Sequence, residues 1–370
     1  MIRVLSVFGT RPEAIKMAPV VQRLRAEPAT FESVVCVSAQ HRGMLDQVLG
    51  VFDVTVDHDL DLMTPGQSPA EITARVIERL PRLIREVGPD VLLVQGDTMT
   101  TFAAAFAAYL ERVPSAHVEA GLRTGDRFQP FPEEMNRVLT TRLASLHFAP
   151  TAEARDRLLA EGVPAGDVHL TGNTVIDALL ATLRPDYRFR TPALAGLEPD
   201  RRVLLVTTHR RESFGAPLRS TCAALRELVR RFPDVQIVLP VHPNPEVKAP
   251  VERLLCDLPR VSLIEPVDYV EFVHLMNRAH LILTDSGGVQ EEAPTLGKPV
   301  LVLREVTERP EGVAAGTAVV VGTDRAQIVE TASVLLSSPE AYARMAGAVN
   351  PYGDGRASER IAAVLAERFG

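Results

Sequence analysis

Two groups of residues in this chain could do chemistry together: a glycine pair suited to an anion, and carboxylates placed where strands end. Asp285-Ser286-Gly287-Gly288-Val289-Gln290-Glu291-Glu292 follows the apolar run His280-Leu281-Ile282-Leu283-Thr284 and opens a helical pattern. Glycines let backbone N–H groups approach an anion closely, and a helix start adds partial positive charge. Ser286, Gly287 and Gly288 therefore suit a diphosphate, and Glu292, one turn on, suits a ribose 2′,3′-diol. The plainer alternative is a glycine-rich strand-to-helix turn with a solvated glutamate pair.

The carboxylates are Asp97, in Gln95-Gly96-Asp97-Thr98; Glu119, in His117-Val118-Glu119-Ala120-Gly121; and Glu133, in Phe131-Pro132-Glu133-Glu134. A carboxylate at the edge of an apolar sheet is desolvated, which raises its pKa and suits acid–base work. Each also has a structural alternative: Asp97 as a helix cap, Glu133 as a first-turn helix acid, Glu119 as the partner of Arg123. Arg11 and Lys16, in and just after Phe8-Gly9-Thr10-Arg11-Pro12-Glu13-Ala14, could meet a diphosphate. His209, after the strand Arg202 to Thr207, could contact a phosphate or share a proton with a leaving diphosphate. His242 sits in the stiff turn Pro240-Val241-His242-Pro243-Asn244-Pro245, and Gln40-His41-Arg42 ends another strand. These groups come singly from separate loops, without zinc-ligand spacing, so no metal is expected. Neither GxGxxG nor GxxxxGK[ST] occurs, which argues against a nicotinamide enzyme and a P-loop NTPase.

The elements that must position these groups alternate as strand and helix. Predicted strands in the first half are Val4 to Phe8, Ser33 to Ser38, Asp90 to Gln95, Ala116 to Glu119, Leu146 to Ala149 and Val168 to Thr171. Helical stretches such as Ala14 to Ala26, Ala70 to Val87, Thr100 to Leu110 and Glu134 to Ala144 lie between them. Short Val-, Leu- and Ile-rich strands separated by helices imply parallel sheets covered on both faces. The alternation lapses at Arg184 to Asp200, where Pro185, Pro192 and Pro199 among polar residues read as an interdomain linker. It resumes through strands at Arg202 to Thr207, Gln236 to Pro240, Ser262 to Ile264, Leu281 to Thr284, Pro299 to Leu303 and Ala318 to Val321. The expected fold class is α/β: two doubly wound Rossmann-like domains facing a cleft, residues 1–172 with 356–370 and residues 173–355. In open α/β sheets the ligand lies beyond the C-terminal ends of the strands. The candidate residues fall there in both halves.

Composition agrees. The chain has 370 residues, more than one core usually serves, with 46% apolar and 24% charged residues. A net charge of −7 gives no reason to expect nucleic acid or an anionic membrane surface. No apolar run approaches a membrane span. Met1-Ile2-Arg3 leads into a strand without a signal-peptide pattern. Cys36, Cys222 and Cys256, odd in number and far apart, read as reduced thiols of a cytoplasmic protein.

Taken in order, the motifs resemble the non-hydrolysing UDP-N-acetylglucosamine 2-epimerase family nearly end to end. Those already quoted are joined by Gly121-Leu122-Arg123-Thr124, Asn136-Arg137, Thr171-Gly172-Asn173-Thr174, His209-Arg210-Arg211-Glu212 and Asn350-Pro351-Tyr352-Gly353-Asp354-Gly355. The resemblance implies the two-domain GT-B fold, in which the C-terminal helix (here 356–369) crosses back to the first domain. It implies interconversion of UDP-GlcNAc and UDP-ManNAc for cell-surface polysaccharide, in a cytoplasmic homodimer, without cofactor or metal. By position it assigns catalysis to Asp97, Glu119, Glu133 and His209. UDP falls to Arg11, Ser286, Gly287, Gly288 and Glu292, with Phe272 near the uracil. Members are often activated by a second UDP-GlcNAc, here at Gln40, His41, Arg42 and His242, although Gly43 and Gly66 stand where some members carry longer polar residues. The competing readings are a GT-B glycosyltransferase, a hydrolysing epimerase releasing ManNAc and UDP, and a non-catalytic UDP-sugar sensor.

Overall fold

Apolar runs rich in β-branched residues form the strands, and glycine or polar clusters end them. The computed structural model describes residues 1–38, 42–62, 64 and 66–370, excepting the side chains of Arg42, Met44 and Arg211. The chain divides into two compact units, Met1–Ala181 with Tyr352–Gly370, and Thr182–Pro351.

The first unit holds a seven-stranded sheet: β1 (Ile2–Phe8), β2 (Phe31–Val37), β3 (His58–Asp59), β4 (Val91–Gln95), β5 (Ser115–Val118), β6 (Leu146–Ala149) and β7 (Val168–Leu170). Their order is β3-β2-β1-β4-β5-β6-β7, and the pairs are parallel. The second unit holds six: β8 (Arg202–Thr207), β9 (Val235–Pro240), β10 (Val261–Ile264), β11 (Leu281–Thr284), β12 (Val300–Val302) and β13 (Ala318–Val320). They run β10-β9-β8-β11-β12-β13, again parallel. In each sheet the chain winds outward from its first strand and then reverses. The switch points therefore lie between β1 and β4 and between β8 and β11.

Parallel strands buried on both faces need helices on both sides. In the first unit Leu5, Val7, Leu92 and Val94 pack against Val76 and Leu80 of helix Pro69–Val87 and the alanine face of helix Met99–Leu110. In the second, Leu204, Val206, Leu281 and Leu283 pack with Leu225 and Leu228 of helix Ala216–Arg231. Helix Ala357–Phe369 belongs to the first unit. Its first N–H groups, Ala357 and Ser358, donate to the Asp177 carboxylate at 3.2 and 2.8 Å, and it packs along helix Arg11–Arg25.

Three features differ from the sequence expectation. The unit borders lie at 181/182 and 351/352, not after 172 and 355, because Val175 and Ile176 form a buried cluster with Tyr352 and Ile15. The proline-rich stretch 184–200 is docked rather than a free linker. The Arg184 N–H donates to His274 Nε2 (3.0 Å), and the Arg190 and Thr191 N–H groups donate to Glu271 Oε1 (2.8 and 2.9 Å). Tyr187 stacks on His274, so the backbone groups that proline kept out of regular structure are satisfied by helix Tyr269–Arg278. Finally, Pro245 does not merely stiffen a turn. It is in the first turn of helix Pro245–Leu255, where its missing N–H costs nothing.

Candidate active site

In the first unit the loops after β1 and β4 emerge side by side, since Val4, Leu5 and Ser6 pair with Val91, Leu92 and Leu93. Thr10 caps helix Arg11–Arg25, and Glu13 completes a capping box by accepting the Thr10 N–H at 2.7 Å. The Glu13 carboxylate does more than cap. It also accepts Gly9 N–H (3.1 Å) and the hydroxyls of Thr98 (2.7 Å) and Thr101 (3.2 Å) beside the β4 loop. Burial pushes this carboxyl up from its ordinary range, and the hydrogen bonds recover only part of the shift. Glu13 thus ties the turn bearing Arg11 to the loop bearing Asp97. Gly9 is required by space: a Cβ there would lie 1.9 Å from Ser38 Oγ. The exposed side chain of Arg11 makes no hydrogen bond or ion pair among the described residues.

Asp97 receives a two-pronged contact from Arg137, Nε at 2.9 Å and Nη2 at 2.5 Å on Oδ2. Asn136 holds the Asp97 backbone carbonyl at 2.8 Å. Both come from helix Glu133–Leu143. Glu134 accepts the Thr124 and Gly125 N–H groups, each at 3.0 Å, and meets Arg137 as well. Glu133 is half-buried at the first position of the same helix. Glu119 is buried and sits at φ +65°, a conformation that non-glycine residues adopt at a cost and that often marks a site. Its carboxylate pairs with Lys16 and accepts from Asn173 Nδ2 at 3.1 Å. The alternative of a Glu119–Arg123 pair fails, because Arg123 grips Glu161 through Nε and Nη2 at 2.8 and 3.0 Å. Lys16, expected on a diphosphate, pairs with Glu119.

In the second unit Thr207 and Thr284 are register partners, and their hydroxyls lie 2.6 Å apart. The loops that follow carry His209 and Asp285. Asp285 is fully buried; its Oδ2 accepts the His209 and Arg210 N–H groups (2.8 and 2.9 Å) and the Ser213 hydroxyl (3.1 Å). Its Oδ1 is 2.9 Å from His209 Nδ1. Burial pushes the Asp285 carboxyl up, but the imidazole and the backbone donors outweigh it and the net shift is downward. Ser286 N–H donates to Thr284 Oγ1 at 2.9 Å. Neither Gly287 nor Gly288 has a positive φ, and a Cβ at either would make only ordinary contacts, so neither the backbone nor the surrounding protein requires glycine there. A Cβ on Gly287 would sit 3.7 Å from the Arg309 guanidinium, and one on Gly288 3.7 Å from Glu292 Oε1. Arg309 pairs with buried Glu291. Tyr269 donates its hydroxyl to Glu292 Oε2 at 3.2 Å, and Phe272 is half-buried on the same helix.

Carboxylates wired to cations thus lie beyond one sheet, and a glycine turn beside a histidine–aspartate pair lies beyond the other. A family model described as UDP-N-acetylglucosamine 2-epimerase matches residues 22–366. The chain is 54% identical to the UDP-N-acetylglucosamine 2-epimerase of Yersinia pestis and 53% to that of Escherichia coli K12, each over 98% of both chains. The chain belongs to the UDP-N-acetylglucosamine 2-epimerase family. Its structure is similar to the crystal structure of UDP-GlcNAc 2-epimerase from Neisseria meningitidis bound to UDP-GlcNAc, at TM-score 0.90 and 47% identity over 99% of this chain and 100% of that one. The two doubly wound sheets are those of the GT-B class.

Within that family frame, the fold sets Asp97 and Arg11 just beyond the two strands flanking one switch point, and His209 and Ser286 just beyond the two flanking the other. Glu119 and Glu133 come from the loop after β5 and the helix beyond it. His242 accepts the Asn244 N–H on Nδ1 at 3.2 Å, within the turn before helix Pro245–Leu255. Gln40, His41 and the Arg42 side chain lie outside the described residues. Glu13, Arg137 and Asp285 stand inside sequence motifs that give them no role of their own; the fold supplies one for each. The Thr10-x-x-Glu13 capping-box spacing is a local signal for Glu13, whereas Arg137 and Asp285 have none beyond a place in charged motifs. No local pattern marks the pairs Lys16–Glu119 or Arg309–Glu291. Among the described residues no group of three or more His, Cys, Asp or Glu is arranged to hold a metal ion, and no helix is long and apolar enough to cross a membrane.

Proposed function

We propose that this chain interconverts UDP-GlcNAc and UDP-ManNAc at C2 without hydrolysing them. The observation that carries this reading is identity above half over nearly the whole of both chains with named epimerases, together with a charged site at each switch point. A sugar C2 hydrogen is not acidic enough for a carboxylate to remove directly. If the C1–O bond to UDP breaks first or in concert, C1 gains cationic character and C2–H becomes labile. UDP and 2-acetamidoglucal are then the intermediates, and re-addition with proton delivery to the opposite face of C2 gives the epimer.

Each group has a part in this scheme. Arg11, Ser286, Gly287 and Gly288 take the diphosphate, Glu292 the ribose and Phe272 the uracil. His209 shares a proton with the leaving phosphate. Asp97, Glu119 and Glu133 stabilise the sugar cation and move the C2 proton, two faces requiring more than one carboxylate. Lys16 orients the Glu119 carboxylate through their ion pair. Gln40, His41, Arg42 and His242 serve a second, activating UDP-GlcNAc, and the working form is a cytoplasmic homodimer. The free Cys36, Cys222 and Cys256 suit a reducing compartment, and burial pushes the Cys36 and Cys222 thiols up to about 12, leaving them inert.

Incubation with UDP-GlcNAc in D₂O, followed by proton NMR, tests the reading. UDP-ManNAc with deuterium at C2 is expected. Product without deuterium, free ManNAc, or a disaccharide with an added acceptor would each replace it with another reaction.

A further inference from the structure

We infer that Asp285 is the positioning residue for His209: it selects the tautomer of the imidazole and thereby aims its other nitrogen outward. Resting on the function proposed above, this gives a role in turnover to a residue outside the diphosphate turn proper.

Three observations carry it. First, the register pairing of Thr207 with Thr284 brings the two loops out together, so Asp285 reaches the His209 loop without any rearrangement. Second, Asp285 is fully buried and its Oδ2 is occupied by three donors, the His209 N–H, the Arg210 N–H and the Ser213 hydroxyl. These bonds fix the carboxylate plane and the His209 backbone at once. Third, Oδ1 accepts no well-aligned hydrogen bond among the described residues, and His209 Nδ1 lies 2.9 Å from it, close enough to supply one by a small turn of the ring. A buried carboxylate oxygen left without a donor is costly, so the proton of a neutral His209 belongs on Nδ1. Nε2 is then the unprotonated nitrogen, on a side chain that is 44% exposed. An imidazole held this way can accept or return a proton at Nε2 while its carboxylate partner stabilises the imidazolium. Because Ser286 follows Asp285 directly, the same short segment sets both the anion turn and the histidine.

The full-length chain labelled with ¹⁵N-histidine tests this, with the His209 signals assigned by their loss in His209→Gln. At alkaline pH, where the ring is neutral, wild type should show the Nδ1–H tautomer, and Asp285→Asn should shift it to Nε2–H. The Asn oxygen can still accept the His209 and Arg210 N–H groups, so the loop keeps its anchor. Asp285→Asn should also lower kcat by about 10²-fold or more while UDP affinity stays within about 3-fold. An Nε2–H tautomer in wild type overturns the inference even if the variant does not fold. An unchanged tautomer in the variant overturns it too, as does a changed tautomer with unchanged kcat. The tautomer readings need no turnover, so an Nδ1–H wild type lacking any epimerisation would sink the proposed function and leave the geometry standing.

Discussion

Acid should destabilise the first unit through one histidine in particular. His117 is fully buried on β5, with Nε2 2.6 Å from the Gly96 carbonyl. Nε2 must therefore carry the proton, and Nδ1 is buried with no hydrogen-bond partner among the described residues. A second proton would have to sit on Nδ1 in apolar surroundings. Burial lowers the His117 pKa from 6.5 to about 3, the bond to Gly96 recovering part of the shift. Unfolded, the ring titrates normally, so between those two values the unfolded chain binds more protons than the folded one. Stability from this group is thus complete above the unfolded pKa and is lost as pH falls below it. At pH 5 the loss is about 2 kcal/mol. The perturbation that isolates it is His117→Gln, whose amide can still donate to Gly96 O but cannot charge. Guanidinium unfolding followed by circular dichroism at pH 7 and pH 5 should show wild type losing about 2 kcal/mol more than the variant. Parallel losses would refute the reasoning, because they would mean that the buried ring is protonated in the folded state as readily as in the unfolded one.

Asp97→Asn should leave UDP binding intact and reduce turnover by about 10²- to 10⁴-fold, measured as kcat beside UDP titration calorimetry. Glu292→Ala should act mainly on affinity, raising the UDP Kd by about 10- to 100-fold, since a charged hydrogen-bond acceptor is lost. Gly121→Ala should lower stability by about 2 kcal/mol or more, read as a drop in Tm: its φ is +91°, and a Cβ would lie 2.3 Å from the Ala154 carbonyl oxygen on the backbone.

Much of the fold is legible in the order of the amino acids. Val91 to Gln95 is a short apolar run stopped by Gly96, and Leu281 to Thr284 is stopped by Asp285; both read as buried strands and are. Asp97, Glu119, His209 and Ser286 fall at strand ends for the same reason. β3 is invisible to such reading, because His58–Asp59 is a strand only by virtue of pairing with Cys36 and Val37. Helix Pro245–Leu255 is hidden by Pro245 and Pro250, which read as breakers although the first sits where proline is tolerated. The prolines of 184–200 suggest a linker, since nothing local announces that Glu271, some eighty residues on, will take its N–H groups.

The site divides the same way. Residue type and spacing determined that a glycine turn would follow one strand and that carboxylates would stand beyond others, because apolar runs and glycine stops are local properties of the chain. Partnership was another matter. Asp97 with Arg137, Glu119 with Lys16, Glu13 with Thr98 and Asp285 with His209 join segments 40 to 103 residues apart. Only the order of the strands decides which loops become neighbours, and that order is set by packing and ladder hydrogen bonds summed over a whole sheet.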